Sequence, residues 1–150
     1  MWNKVSDKFI LGTLYTSNQN SKYYFPEFFD NLSLDISNIK GDCDLSIMLL
    51  GDFDSGTGTL NEIYSLKNND DVLDGSILQN PDNFNTLKRL NIPVTRSNFD
   101  LKIIDSGRHI IEMCKCFELC IVNDRIGTDK NICSTTCADK SMIDYVICNP

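Results

Sequence analysis

The sequence predicts an α/β layered fold, and three observations predict it. Two short runs rich in β-formers, residues 2–5 and 9–15, are separated by the turn-forming Ser6, Asp7 and Lys8. Apolar residues at helical spacing then fill 26–40. A continuous apolar run follows at 45–50, the signature of a strand covered on both faces.

The elements are read in chain order. Residues 16–22, polar and rich in Ser, Asn and Gln, form a loop. Pro26 suits a first helical turn, and Phe29, Leu32, Ile36 and Ile39 mark one buried helix face, with Gly41 as its stop. Past the apolar run, Gly51 to Gly58 (GDFDSGTG) is turn-rich. Residues 61–106 carry many Asn and Asp with scattered apolar positions and read as a long polar excursion with little regular structure. Helical spacing returns at 107–119 through Ile111, Cys114 and Glu118. Short strands are expected at 120–122, 132–136 and 142–148. No internal repeat or boundary divides the chain, so 1–150 reads as one domain.

A length of 150 residues suffices to bury a core, and 41% hydrophobic with 23% charged residues is ordinary for a globular protein. No apolar run reaches the length of a membrane span, and the start, Met1-Trp2-Asn3-Lys4, lacks a secretory signal, so the expected location is intracellular, nucleus or cytoplasm. Seven cysteines without a signal peptide read as reduced, buried thiols. A zinc site would draw on Cys114, Cys116, Cys120, Cys133 and Cys137, with His109, but their spacing misses the paired short loops of structural zinc. His109, the one histidine, reads as a surface residue at a helix start. The net charge of −7, from 14 basic and 21 acidic residues, argues against tight unaided binding of long nucleic acid. It does not argue against a hydrolase.

The chemistry gathers where the apolar run ends. Asp52 and Asp54 are two apart, so an extended backbone points both carboxylates the same way, toward one ion or one water. Oxygen-seeking cations such as Mg²⁺ bind through one or two carboxylates plus substrate phosphate. The plain alternative is a turn, which Asp and Gly also favour.

Four segments in order widen the reading: FILGTLY (9–15), IMLLGDFDSGTG (47–58), SGRHIIEMCKCFELCIVNDRIG (106–127) and STTCADKSMIDYVI (134–147). Together they resemble the endonuclease/exonuclease/phosphatase family, above all the endonuclease domain of non-LTR (LINE-type) retrotransposons. The resemblance implies a deoxyribonuclease-like, two-sheet α/β sandwich, here partial. It also implies Mg²⁺- or Mn²⁺-dependent in-line hydrolysis of DNA phosphodiesters. Asp52 matches the aspartate that positions or deprotonates the attacking water. Asp54 stands where the family has asparagine, which adds like charge beside Asp52 or makes a stronger cation site. Asp144 matches the aspartate that orients a histidine base; Tyr15 matches the tyrosine at the scissile phosphate, and Thr136 a threonine near the substrate backbone. The family's metal-binding glutamate would precede Met1 and its closing histidine would follow Pro150. The expected function is therefore a remnant or fragment of a metal-dependent DNA endonuclease, weak or inactive alone and marginally stable, with no membrane partner. A reverse-transcriptase domain is implied in the full-length element. A phosphoesterase for small phosphoesters and a non-catalytic interaction module on the same fold remain open.

Overall fold

The structure, a computed structural model, describes residues 1–18, 20–42, 45–63, 82–98, 101–130 and 143–150. Their order is β1 (Trp2–Ser6), β2 (Phe9–Tyr15), α1 (Phe28–Asp42), β3 (Ser46–Asp52), α2 (Asp82–Arg89), α3 (Asp105–Cys116), β4 (Cys120–Ile121), a single 3₁₀ turn (Gly127–Asp129) and β5 (Asp144–Cys148). The described strands form one mixed five-stranded sheet in the order β1-β2-β3-β5-β4. β1 and β2 make an antiparallel hairpin. β2 and β3 run parallel, so the chain must cross over between them, and α1 supplies that crossover. β5 enters antiparallel between β3 and β4. The α/β expectation holds.

The two faces of the sheet are packed differently. Side chains alternate along a strand, and register partners share a face. Ile47, Leu49 and Ile147 are fully buried beneath Phe29, Leu32 and Ile36 of α1 and Ile110, Ile111 and Cys114 of α3. Gly12 lies on this face; a Cβ there would come 2.8 Å from both Leu49 and the Trp2 ring. The missing side chain lets Trp2 lie across β2, where its indole Nε1 donates to Asp35 of α1 at 3.0 Å. Met48 and Leu50, on the other face, are only half-buried. The apolar run is thus sealed on one face rather than both. At the β4 edge a second cluster of Ile63, Leu87 and Cys120, with Phe84, Ile92 and Val94, covers Cys148 on that other face.

That cluster corrects the polar-excursion reading. Within 61–106, α2 is an eight-residue helix whose Phe84 and Leu87, three apart, face the same way, and α3 begins at Asp105. α1 also runs through Gly41 to Asp42 instead of stopping before it. α3 ends earlier than its spacing suggests, because Glu118 turns left-handed (φ 54°) while Leu119 N–H bonds back to the Cys114 carbonyl at 2.8 Å and Glu118 N–H to that of Lys115 at 3.5 Å. This is the Schellman closure, made without the usual glycine. The strand expected at 132–136 lies outside the described residues. Cys114 is buried, Cys116 exposed, and Cys120 and Cys148 are cross-strand partners, each with a free thiol. Among the described residues no helix is long and apolar enough to cross a membrane.

Candidate functional site

The carboxyl ends of parallel strands are where open α/β sheets leave room for a site. Here Tyr15 pairs with Asp52, and Asp52 pairs with Asp144, so one row of three side chains crosses β2, β3 and β5 on the same face. Close strand approach makes the row possible. A Cβ at Gly51 would stand 2.0 Å from the Leu14 carbonyl oxygen, so a side chain there would pry β2 from β3 beside the row. Tyr15 is 72% exposed, and Asp52 and Asp144 are half-buried. Thr136 lies outside the described residues.

Asp54 reaches the site differently from expectation. The strand ends at Asp52, and Asp54 adopts a left-handed backbone (φ 42°), with its N–H donating to the Asp52 carboxylate at 2.8 Å. The two aspartates therefore meet through a side-chain-capped turn, not through strand alternation. Burial pushes the Asp52 carboxyl above its ordinary pKa. The like charges of Asp144 and Asp54 push it the same way, while the Asp54 N–H opposes them.

The turn is fastened from beneath. Tyr145, which follows Asp144 and so points to the opposite face, is buried, and its hydroxyl donates to the Ser55 carbonyl at 2.6 Å. The same hydroxyl lies 3.2 Å from Thr57 Oγ1, which in turn accepts from Arg96 Nη2 at 3.0 Å. Arg96 Nε stands 3.6 Å from Glu62, an ionic contact too long for a hydrogen bond. Glu62 also pairs with Arg125 and accepts the Ile121 N–H at 2.8 Å. Arg125 is saturated further by the carbonyls of Ile121, of Pro93 at 2.8 Å and of Val94 at 2.7 Å. On the outer side, Thr57 bridges to Ile103, and Gly56 lies against Gly107 at the start of α3, where a Cβ would come 2.0 Å from the Gly56 carbonyl. Asn123 holds β5 from its far edge, donating to the Asp144 carbonyl at 3.1 Å and accepting the Val146 N–H at 2.8 Å.

Sequence reasoning missed Tyr145, Glu62, Arg96 and Arg125. Tyr145 carried a faint signal, since a tyrosine at an inward strand position must find a partner for its hydroxyl. Isolated charges among loop residues carried none.

The row offers carboxylate oxygens and one exposed phenol. Among the described residues, no three His, Cys, Asp or Glu side chains converge to enclose a metal ion. Asp52 and Asp54 bring two like charges close enough for the Asp54 charge to oppose ionisation of Asp52. No protein-family model, curated protein or solved structure matches the chain.

Proposed function

We propose that the chain is a remnant or fragment of a metal-dependent DNA endonuclease of the endonuclease/exonuclease/phosphatase type, weak or inactive alone, on a two-sheet sandwich of which the five-stranded sheet is one layer. The observation that supports it most is the row itself. Tyr15, Asp52 and Asp144 come from three separate segments singled out by resemblance, and they are register partners on adjacent strands.

Asp52 and Asp54 would hold Mg²⁺ or Mn²⁺, and the bound cation would supply charge stabilisation at a phosphate oxygen. Asp52 would orient the attacking water and accept its proton. Tyr15 stands at the open end of the row, where its hydroxyl can donate to a phosphate oxygen. Asp144 completes the row from β5; the histidine that the resemblance would have it orient has no counterpart in this sequence, whose one histidine, His109, lies in α3. The charge of −7 weakens attraction to long DNA and favours a second reading, a phosphoesterase for small phosphoesters.

The test is nicking of supercoiled plasmid with Mg²⁺ or Mn²⁺, with and without chelator, against Asp52→Ala. Weak metal-dependent nicking that disappears in the variant is the result that supports the reading. Absence of nicking by folded protein that releases phosphate from small esters would favour the second reading. Absence of both would leave a non-catalytic module.

A further inference from the structure

Cys120 and Cys148 are register partners on β4 and β5, so their side chains share one face of the sheet. The pairing also sets their separation. The Val122 N–H donates to the Val146 carbonyl at 2.7 Å, whereas the Ile121 N–H points away from β5, to Glu62. Bonded and non-bonded pairs alternate along an antiparallel ladder. Cys120 and Cys148 therefore form a bonded pair, whose Cα atoms stand about 5.5 Å apart. A disulfide needs Cα atoms roughly 4.4–6.8 Å apart, so strand pairing alone brings the two within bridging reach. Both thiols are free.

The two are unequally placed. Cys120 is 3% exposed and packs with Ile63 and Leu87, while Cys148 is only half-buried. Hydrogen bonding between the pair shifts them in opposite directions: it pushes the Cys120 thiol up and holds Cys148 below the ordinary thiol range. Burial adds to the rise at Cys120 and opposes the fall at Cys148. The less buried sulfur is thus the one that ionises first, and the sealed sulfur keeps its proton. A thiolate beside a second thiol is the arrangement in which oxidation ends in a disulfide. Cys114, buried beneath α3, and Cys116, exposed at its end, have no cysteine as a strand partner.

We propose that Cys120 and Cys148 form a peroxide-oxidisable dithiol, in which Cys148 reacts first and Cys120 closes a cross-strand disulfide. The oxidant is hydrogen peroxide, a molecule small enough for a half-buried sulfur. The Cys148 thiolate attacks one peroxide oxygen; the S–O bond forms, the O–O bond breaks, and hydroxide leaves to become water. Cys120 then attacks the Cys148 sulfur. The S–S bond forms, the S–O bond breaks, and the departing hydroxide takes the Cys120 proton as a second water. The two sulfurs lose two electrons together, and peroxide gains them. The bridge ties β4, the outermost strand of the sheet, to the strand that carries Asp144. None of this rests on the hydrolase reading.

The test treats the full, reduced chain with equimolar hydrogen peroxide, blocks the remaining thiols with iodoacetamide and digests it with trypsin without reduction. Cleavage after Lys115, Arg125 and Lys140 leaves Cys120 on residues 116–125 and Cys148 on 141–150. The expected product is these two peptides joined, two hydrogens lighter than their sum and separated again by dithiothreitol. Tandem fragmentation tells Cys120 from Cys116, which shares its peptide. Cys120→Ala removes the second step alone. In that variant, shown to be folded by cooperative unfolding, Cys148 sulfenic acid should accumulate and be trapped by dimedone several-fold above the parent. Parent peptide mapping decides the proposal even where the variant does not fold. It is overturned by Cys120 and Cys148 both remaining alkylated after peroxide, by a bridge between any other pair of the seven cysteines in its place, or by no added trapping at Cys148 in folded Cys120→Ala.

Discussion

Glu62→Gln should be the most damaging isosteric change in the chain. The Glu62 side chain is fully buried and faces two guanidiniums, Arg125 in direct contact and Arg96 at 3.6 Å, whose side chains are themselves 1% and 3% exposed. Glutamine keeps the volume and can keep the Ile121 N–H bond, so the substitution removes charge and little else. Two buried cations would then lose the carboxylate that faces both of them. Removing one partner of a buried pair costs about 3–5 kcal/mol. The three carbonyls that Arg125 retains soften that loss, so the lower end, about 3 kcal/mol, is expected. Against a total of about 5–15 kcal/mol this is a large share. With a urea slope of about 2 kcal/mol per molar, the unfolding midpoint should fall by about 1.5 M at unchanged slope. A fall below about 0.3 M would sink the reasoning, because it would mean that the guanidiniums are satisfied without the carboxylate.

Two further substitutions probe the site from its two faces. Tyr145→Phe keeps the ring that meets Phe53 edge-on at 5.9 Å but strands the Ser55 carbonyl. It should cost about 1–3 kcal/mol in denaturant unfolding, and a loss under about 0.5 kcal/mol would show that the turn needs no fastening. Asp52→Asn keeps an acceptor for the Asp54 N–H while removing the charge. Because the folded-state pKa of Asp52 is raised, the folded state binds its proton more tightly than the unfolded chain, and stability falls as pH rises through the folded value. The variant should therefore be more stable than the parent at pH 7, with the difference closing as pH drops through the raised folded value toward the ordinary carboxylate value of 3.8 and gone below it. An unchanged difference across that range would count against the like-charge environment.

The parts legible in the sequence are those with strong periodicity or a local rule. Phe29, Leu32 and Ile36 announced the buried face of α1, and the continuous apolar run around Leu49 announced β3, though not that only one of its faces is sealed. Leu87 and Arg96 were not legible, because α2 is short and its partners Ile63 and Cys120 are distant in the chain. The end of α3 was hidden for another reason: a glutamate, not a glycine, takes the left-handed position that stops the helix. At the site, the resemblance pointed to Asp52, Tyr15 and Asp144, while strand geometry misplaced Asp54, whose turn depends on a capping bond that spacing alone does not encode.

The register that aligns the row also locks it. On β5 the two-residue alternation sends Asp144 to the half-open face and Tyr145 to the sealed one. A slip of one residue would drive the Asp144 carboxylate beneath α1 and α3 and lift the Tyr145 ring out, which a buried, unpaired charge forbids. The Tyr145 hydroxyl reaches the Ser55 carbonyl only in the native register, so the bond that fastens the Asp52–Asp54 turn and the pairing that sets Asp144 opposite Asp52 are one constraint seen from two faces. It follows that loosening the buried network of Glu62, Arg96 and Thr57 should disturb the carboxylate row before it disturbs the sheet, because the network ends on the turn and not on the strands' shared core.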